Sequence, residues 1–306
     1  MSTKIILDCD PGVDDALAIA FAHGHPGIEL AGITTVAGNV GLARTTRNAL
    51  DVADFVGAAG VPVTAGCAGP LLRPAIDART VHGETGLGGA VLPESGRAPQ
   101  GGHAIDYIIE SLGAAPGEIT LVATGPLTNI ALAIRREPRL ASWVREFVIM
   151  GGAAGRGNVT PAAEYNIWAD PEAASVVFAA GWTVRMIGLD VTLQALATAP
   201  VRARMTALGT LASTLLLPAL SEYRDGDRDP AVHDVCAIVS IAEPSVFGFA
   251  PALVEVETTG RLTSGMTVTD FRPATEPNAL VATEVAVGRF WDAVLETYAG
   301  VAAAVG

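Results

Sequence analysis

The stretch Lys4–Ala20, KIILDCDPGVDDALAIA, constrains this chain more than any other. Ile5-Ile6-Leu7 is a short apolar run of the kind that forms a buried strand. It runs straight into Asp8 and Asp10. Pro11-Gly12 then turns the chain, and from Val13 the positions Leu17, Ala18 and Phe21 can share one helical face. Four carboxylates, Asp8, Asp10, Asp14 and Asp15, therefore gather round one strand-to-helix turn. Like charges so close are costly unless something positive sits among them. A hard divalent cation meets that need, because it accepts several oxygen ligands. Asp8 and Asp10 point the same way from a strand, so both are candidate ligands. Asp14 and Asp15 point to different sides of the first helical turn, one toward metal and the other toward substrate or metal. The helix dipole alone would account for Asp14 and Asp15. It does not account for carboxylates at the end of an apolar strand.

Length and charge narrow the partners. With 306 residues and no low-complexity linker, one α/β domain spanning 1–306 is expected. Half the residues are hydrophobic, enough for a large core. The formal charge, 19 − 32 = −13, argues against a nucleic-acid partner. Cys9, Cys67 and Cys236 are odd in number and form no CxxC pair, so neither a disulfide framework nor a zinc ribbon is expected, and a reducing cytoplasm fits. The first apolar run stops at Asp8 after three residues, too short for a signal peptide. No apolar stretch is read as approaching the roughly 18 residues of a membrane span.

Taken in order, the chain alternates. Ile28–Val36 reads as a strand ending at Gly38-Asn39, 44–56 as a helix and Val61–Ala65 as a short strand. A βαβαβ order predicts a mainly parallel sheet flanked by helices, whose ligands bind at the carboxyl ends of strands. Asp10 and Asn39 both sit there. Residues 66–102 are irregular and rich in Gly and Pro, the composition of a functional loop, and contain His82. A helix is expected from His103 to Leu112. The strand Ile119–Ala123 then meets Thr124, level with Asp10 and a plausible oxygen ligand. After the strand Phe147–Met150, Asn158, Glu164 and Asn166 offer the donors and acceptors a polyol needs. Asp170 reads as a helix N-cap. Val184–Ile187 is a strand, and 194–223 is helical in pieces divided at Pro200, Gly209 and Pro218. A charged loop, YRDGDRDP, precedes His233-Asp234, a polar pair opening an apolar helix. Strands near Leu253–Glu257 and Met266–Asp270 and a helix over 289–298 close the chain.

These motifs, read together, resemble one family. DCDPGVDDALAI, Gly38-Asn39, VHGETGL from Val81, TGPLTNIALA from Thr124, GNVTPAAEYNIWADPEAA through Ala174 and VHDVCAI from Val232 are similar to the inosine-uridine preferring nucleoside hydrolases, in order and over nearly the whole chain. The resemblance implies a nucleoside hydrolase fold and hydrolysis of the N-glycosidic bond of ribonucleosides. It implies Ca²⁺ held by Asp10, Asp15, the Thr124 carbonyl and Asp234, with Asp8 behind them. It puts Asp14, Asn39, Asn158, Glu164 and Asn166 on the ribose hydroxyls, the main chain near Met150 in the pocket wall and His82 beside the base. Asp10 would take a proton from a metal-bound water, and His233 would protonate the leaving base. The histidine at 233 favours the branch acting on pyrimidine nucleosides or on both inosine and uridine. The loop YRDGDRDP would close over the base, with Tyr223 and Arg228 as candidate contacts. Homodimers or homotetramers are expected.

Two other readings compete. A haloacid-dehalogenase-type phosphatase also has Asp-x-Asp after an apolar strand, but it needs a later lysine, and Lys4 is the only one here. A non-catalytic ribose- or nucleoside-binding protein could keep the metal site; the presence of both Asp10 and His233 argues against it.

Overall fold

The computed structural model describes residues 2–223, 228–273 and 275–306. Nine strands form one sheet: β1 (Thr3–Cys9), β2 (Ile28–Thr35), β3 (Val63–Ala65), β4 (Ile119–Ala123), β5 (Glu146–Met150), β6 (Val184–Ile187), β7 (Phe247–Val256), β8 (Thr267–Asp270) and β9 (Ala279–Val285). Their order is β3-β2-β1-β4-β5-β6-β9-β7-β8. The pairs from β3 to β9 are parallel, and β7 runs antiparallel to both β9 and β8. The fold is thus a single-domain α/β architecture with a mostly parallel sheet flanked by helices, as the alternating pattern predicts.

The central strands are apolar on both faces because both are covered. Leu7, Val122 and Val148 pack into one core with the helices Val13–Gly24, His233–Ala242 and Val287–Val305. Ile6, Leu121 and Phe147 pack into a second core with the helices Ala104–Ala114, Thr128–Arg136 and Pro171–Phe178. Strand β1 lies between β2 and β4, with Asp8 beside Thr34 and Ala123. The carboxyl ends of β1, β2 and β4 are therefore brought side by side, and the motifs at those ends converge.

Three sequence expectations change here. Strand β9, unrecognised in the sequence, enters parallel beside β6, and β7 then pairs antiparallel to it. The strand expected at Leu253–Glu257 is the second half of the ten-residue β7. The run Ala199–Ser221 is, by length and composition, helical and apolar enough to cross a membrane, against the expectation of no such stretch. Its Met205, Leu211, Leu215, Leu216 and Leu220 lie in the first core, so it serves as a core helix. It is broken at Gly209 (φ 55°) and widens to π geometry over Ala212–Leu216 before Pro218, which relieves the missing proline N–H.

Candidate active site

A cleft of about 350 Å³ opens over the carboxyl ends of the central strands. Of the residues singled out in the sequence, it is lined by Asp14, Asn39, His82, Thr124, Met150, Asn158, Glu164, Asn166, Tyr223, His233 and Asp234. Asp10 and Asp15 lie beneath this lining, fully buried. The described lining contains no lysine or arginine.

The floor is acidic. One carboxylate oxygen from each of Asp14, Asp15 and Asp234 lies within 4.8 Å of the others. Asp15 accepts from the Gly12 amide (2.9 Å), Asn39 Nδ2 (3.1 Å) and the Thr124 hydroxyl (3.0 Å). Asp10 accepts from the Asn39 amide at 2.7 Å, and its Oδ1 is buried without a hydrogen-bond partner. The glycines at the neighbouring strand ends make room for it. A Cβ on Gly38 would overlap Asp10 Oδ2, and one on Gly125 would come within 2.7 Å of Oδ1. Asp8 does not reach the cleft. It accepts from the Thr34 hydroxyl (2.6 Å) and Asn129 Nδ2 (2.8 Å) under β2, so the idea that Asp8 and Asp10 share one ligand set does not hold. The reason is that β1 ends at Cys9, and the alternation of a strand no longer governs Asp10.

Burial sets the electrostatics. It pushes Asp14 up to about 8, with the Asp15 charge adding to it and the amides of Asp234 and His233 opposing it. Asp10, Asp15 and Asp234 are raised for the same first reason, and Asp14 and Asp15 further raise Asp234. Five buried aspartates, Asp8 included, are held with no lysine or arginine among the described lining residues. The donors are all oxygens, and the buried Asp10 Oδ1 has no partner within the protein. That set fits a hard cation such as Ca²⁺ and not a zinc centre, which would draw on Cys or His.

One wall of the cleft is built by a short helix. Glu164 caps Tyr165–Ala169: Oε1 accepts from the Asn166 amide (2.9 Å), and Oε2 accepts from the Ile167 (3.2 Å) and Gly152 (2.8 Å) amides. Gly152 needs its positive φ of 75° to aim that amide. Burial raises Glu164 to about 7. Asn166 Nδ2 donates to the carbonyls of Thr124 (2.8 Å) and Met150 (3.1 Å), tying this helix to two strand ends. Asn158, more exposed, accepts from the Tyr165 amide at 3.0 Å.

Elsewhere in the lining, His82 Nδ1 accepts from the Val13 amide at 3.1 Å, which places the ring proton on Nε2. Burial and the nearby His233 push its pKa down to about 3, so His82 is a neutral donor. Its ring meets Tyr223 edge-on, with centroids 5.3 Å apart. His233 Nδ1 lies 2.7 Å from the Thr192 hydroxyl. Arg224–Asp227, within the loop expected over the base, lie outside the described residues.

Two residues escaped the sequence reading. Tyr165, in the cleft wall, donates its hydroxyl to the Gly38 carbonyl (2.9 Å). Thr192 is buried behind His233. Its place in the short turn that follows β6, at the carboxyl end of the sheet, was the available signal.

Residues 5–292 match the family model described as inosine-uridine preferring nucleoside hydrolase. The chain belongs to this family. It is 46% identical over 305 residues to the inosine-uridine preferring nucleoside hydrolase of Leishmania major, with 97% of each chain covered. It is 45% identical to the non-specific ribonucleoside hydrolase RihC of Shigella boydii, covering 98% of this chain and 99% of that one. The purine-preferring ribonucleoside hydrolase of Gardnerella vaginalis superposes with a TM-score of 0.92 at 33% identity, covering 98% and 99%. This member of the family is therefore a hydrolase of N-glycosyl bonds acting on ribonucleosides, rather than a binding protein that keeps the site.

Proposed function

We propose that this hydrolase is Ca²⁺-dependent and prefers pyrimidine nucleosides or inosine and uridine, with one domain spanning 1–306 carrying the whole activity. The observation that carries the reading is the acidic floor of the cleft, where Asp14 meets Asp15 and Asp234 and Asp10 is fully buried nearby, with His233 in the same lining. Asp10, Asp15, Asp234 and the Thr124 carbonyl would hold the cation. When bound, it supplies Lewis acidity toward water and a clamp for the ribose 2′- and 3′-hydroxyls.

The protein's own groups do the rest. Asp14, Asn39, Asn158, Glu164 and Asn166 hold the ribose hydroxyls, and the main chain at Met150 backs the sugar. Breaking the C1′–N bond builds positive charge on the ribose, which the surrounding carboxylates favour as it develops. Asp10 takes a proton from the attacking water, whose hydroxyl joins C1′. The bond's electron pair leaves with the base, and His233 gives that base its proton. His82, neutral and with its proton on Nε2, donates a hydrogen bond to the base. The histidine at 233 supports the substrate preference, because an acid is needed most where the base is a poor leaving group.

The acidic cleft, with no lysine or arginine among its described lining, supports a nucleoside substrate over nucleic acid. The three free cysteines support a cytoplasmic setting, and a homodimer or homotetramer is proposed for the assembly. The test is ribose release from uridine, cytidine, inosine and adenosine, before and after chelation and after Ca²⁺ is restored. Release that chelation abolishes and Ca²⁺ returns is expected. Full activity after exhaustive chelation would remove the metal from the reaction.

A further inference from the structure

We propose that Thr192 is a positioning residue for the leaving-group acid, a role that rests on the reading of His233 as that acid. Thr192 is completely buried, and its hydroxyl lies 2.7 Å from His233 Nδ1. A buried threonine hydroxyl can both donate and accept, so it holds the ring whether Nδ1 bears a proton or not. With Nδ1 committed to Thr192, Nε2 is the nitrogen whose proton a departing base would take.

Two features make Thr192 a rigid support. It closes the short turn Leu189–Thr192 after β6, where its amide donates to the Gly188 carbonyl at 3.2 Å. In the same turn, Asp190 accepts from the amides of Ala154 (2.8 Å) and Gly155 (2.9 Å), which ties the turn to the loop leading to Asn158. The chain just beyond Thr192 then pairs with the chain just before His233. The Ala197 amide donates to the Pro230 carbonyl (2.7 Å), and the Val232 amide donates to the Ala195 carbonyl (3.2 Å). The two side chains are thus held in register by backbone on both sides.

The proton count closes through this contact. Protonated His233 carries hydrogens on both nitrogens. As the C1′–N bond breaks, its electron pair passes to the base and the Nε2 proton follows. The neutral ring keeps its Nδ1 proton, donated to Thr192 Oγ1. Without that oxygen the ring loses a partner at Nδ1 and the acceptor of its remaining proton.

The experiment compares Thr192→Val, Thr192→Ser and His233→Ala on inosine, uridine and 4-nitrophenyl β-D-riboside, whose leaving group departs as a stable anion and needs no proton. Thr192→Val is expected to lower kcat on the nucleosides about 10- to 100-fold, the range seen when a metal-ligating histidine loses the partner that orients it. KM should change little, and the loss on the nitrophenyl riboside should be far smaller. Thr192→Ser, which keeps the hydroxyl, should recover most of the rate. His233→Ala should show the same substrate pattern with a larger fall, about 10²- to 10⁴-fold. If His233→Ala shows that pattern and Thr192→Val does not, the positioning role is overturned while the acid stands. Equal losses on all substrates for Thr192→Val would make Thr192 a support of the fold and overturn the proposal. If His233→Ala spares the nucleosides, the acid reading itself falls.

Discussion

Asp234→Asn should stabilise the metal-free protein and lose most of the stabilisation that Ca²⁺ gives the parent. Asp234 is buried, with one of its oxygens within 4.8 Å of oxygens of Asp14 and Asp15. At that distance, and with an effective dielectric near 20, each fully ionised pair would cost about 3–4 kcal/mol. Protonation already relieves much of this, because burial and the neighbouring aspartates raise Asp234 well above the ordinary carboxylate range. Asparagine mimics the protonated acid and can still donate to Asp15, so the expected gain without metal is about 1–3 kcal/mol. For 306 residues the unfolding entropy is about 0.6 kcal/mol per kelvin. The midpoint in chelator should therefore rise by about 2–5 °C. For the unsubstituted chain, Ca²⁺ at a hundred times its dissociation constant should add about 2.7 kcal/mol, or about 4 °C. The variant, short of one carboxylate ligand, should gain almost none of that. Scanning calorimetry in chelator and then with Ca²⁺ reads both effects. A variant that melts lower than the parent in chelator, or gains as much from Ca²⁺, would refute the idea that these carboxylates repel one another until a cation binds.

Two further outcomes follow from the walls of the cleft. Glu164→Gln replaces an acceptor of three backbone amides by a group with one acceptor oxygen, so at least one of the Gly152, Asn166 and Ile167 amides loses its partner. Urea unfolding should show a loss of about 1–3 kcal/mol, and KM for nucleosides should rise as Asn166 shifts; unchanged stability would show that Glu164 does not hold this helix. For His82 the sign is set by a pKa lowered to about 3. The unfolded chain takes up the proton near the ordinary value of 6.5 and the folded chain does not, so this contribution to stability is present above about pH 6.5 and lost as pH falls toward 3. An NMR titration of the chelated protein should find one imidazole that stays neutral from about pH 5 upward, and a His82 that titrates near 6.5 would overturn its assignment as a neutral donor.

Much of this protein was legible in its sequence because the informative signals are local. An apolar run of three residues followed by Asp8, Asp10, Asp14 and Asp15 states a strand, a turn and a helix with a cation-seeking junction. The βαβ alternation then fixes a parallel sheet and puts Asn39 and Thr124 level with Asp10. Strand β9 was not legible, because its insertion between β6 and β7 is a choice of partner rather than a pattern within seven residues. The same holds for the apolar run Ala199–Ser221, whose burial depends on what packs against it.

The sequence by itself determined the chemistry of the donor set: oxygens alone, in excess negative charge, with a histidine at hand. Tertiary structure decided which of those groups meet. It joined Asp234 to Asp14 and Asp15, turned Asp8 away under Thr34, and set Thr192 behind His233. Spacing along the chain fixes which face a side chain takes within its own element. Contacts between elements depend on sheet register and on packing across the core, and no short stretch of sequence contains either.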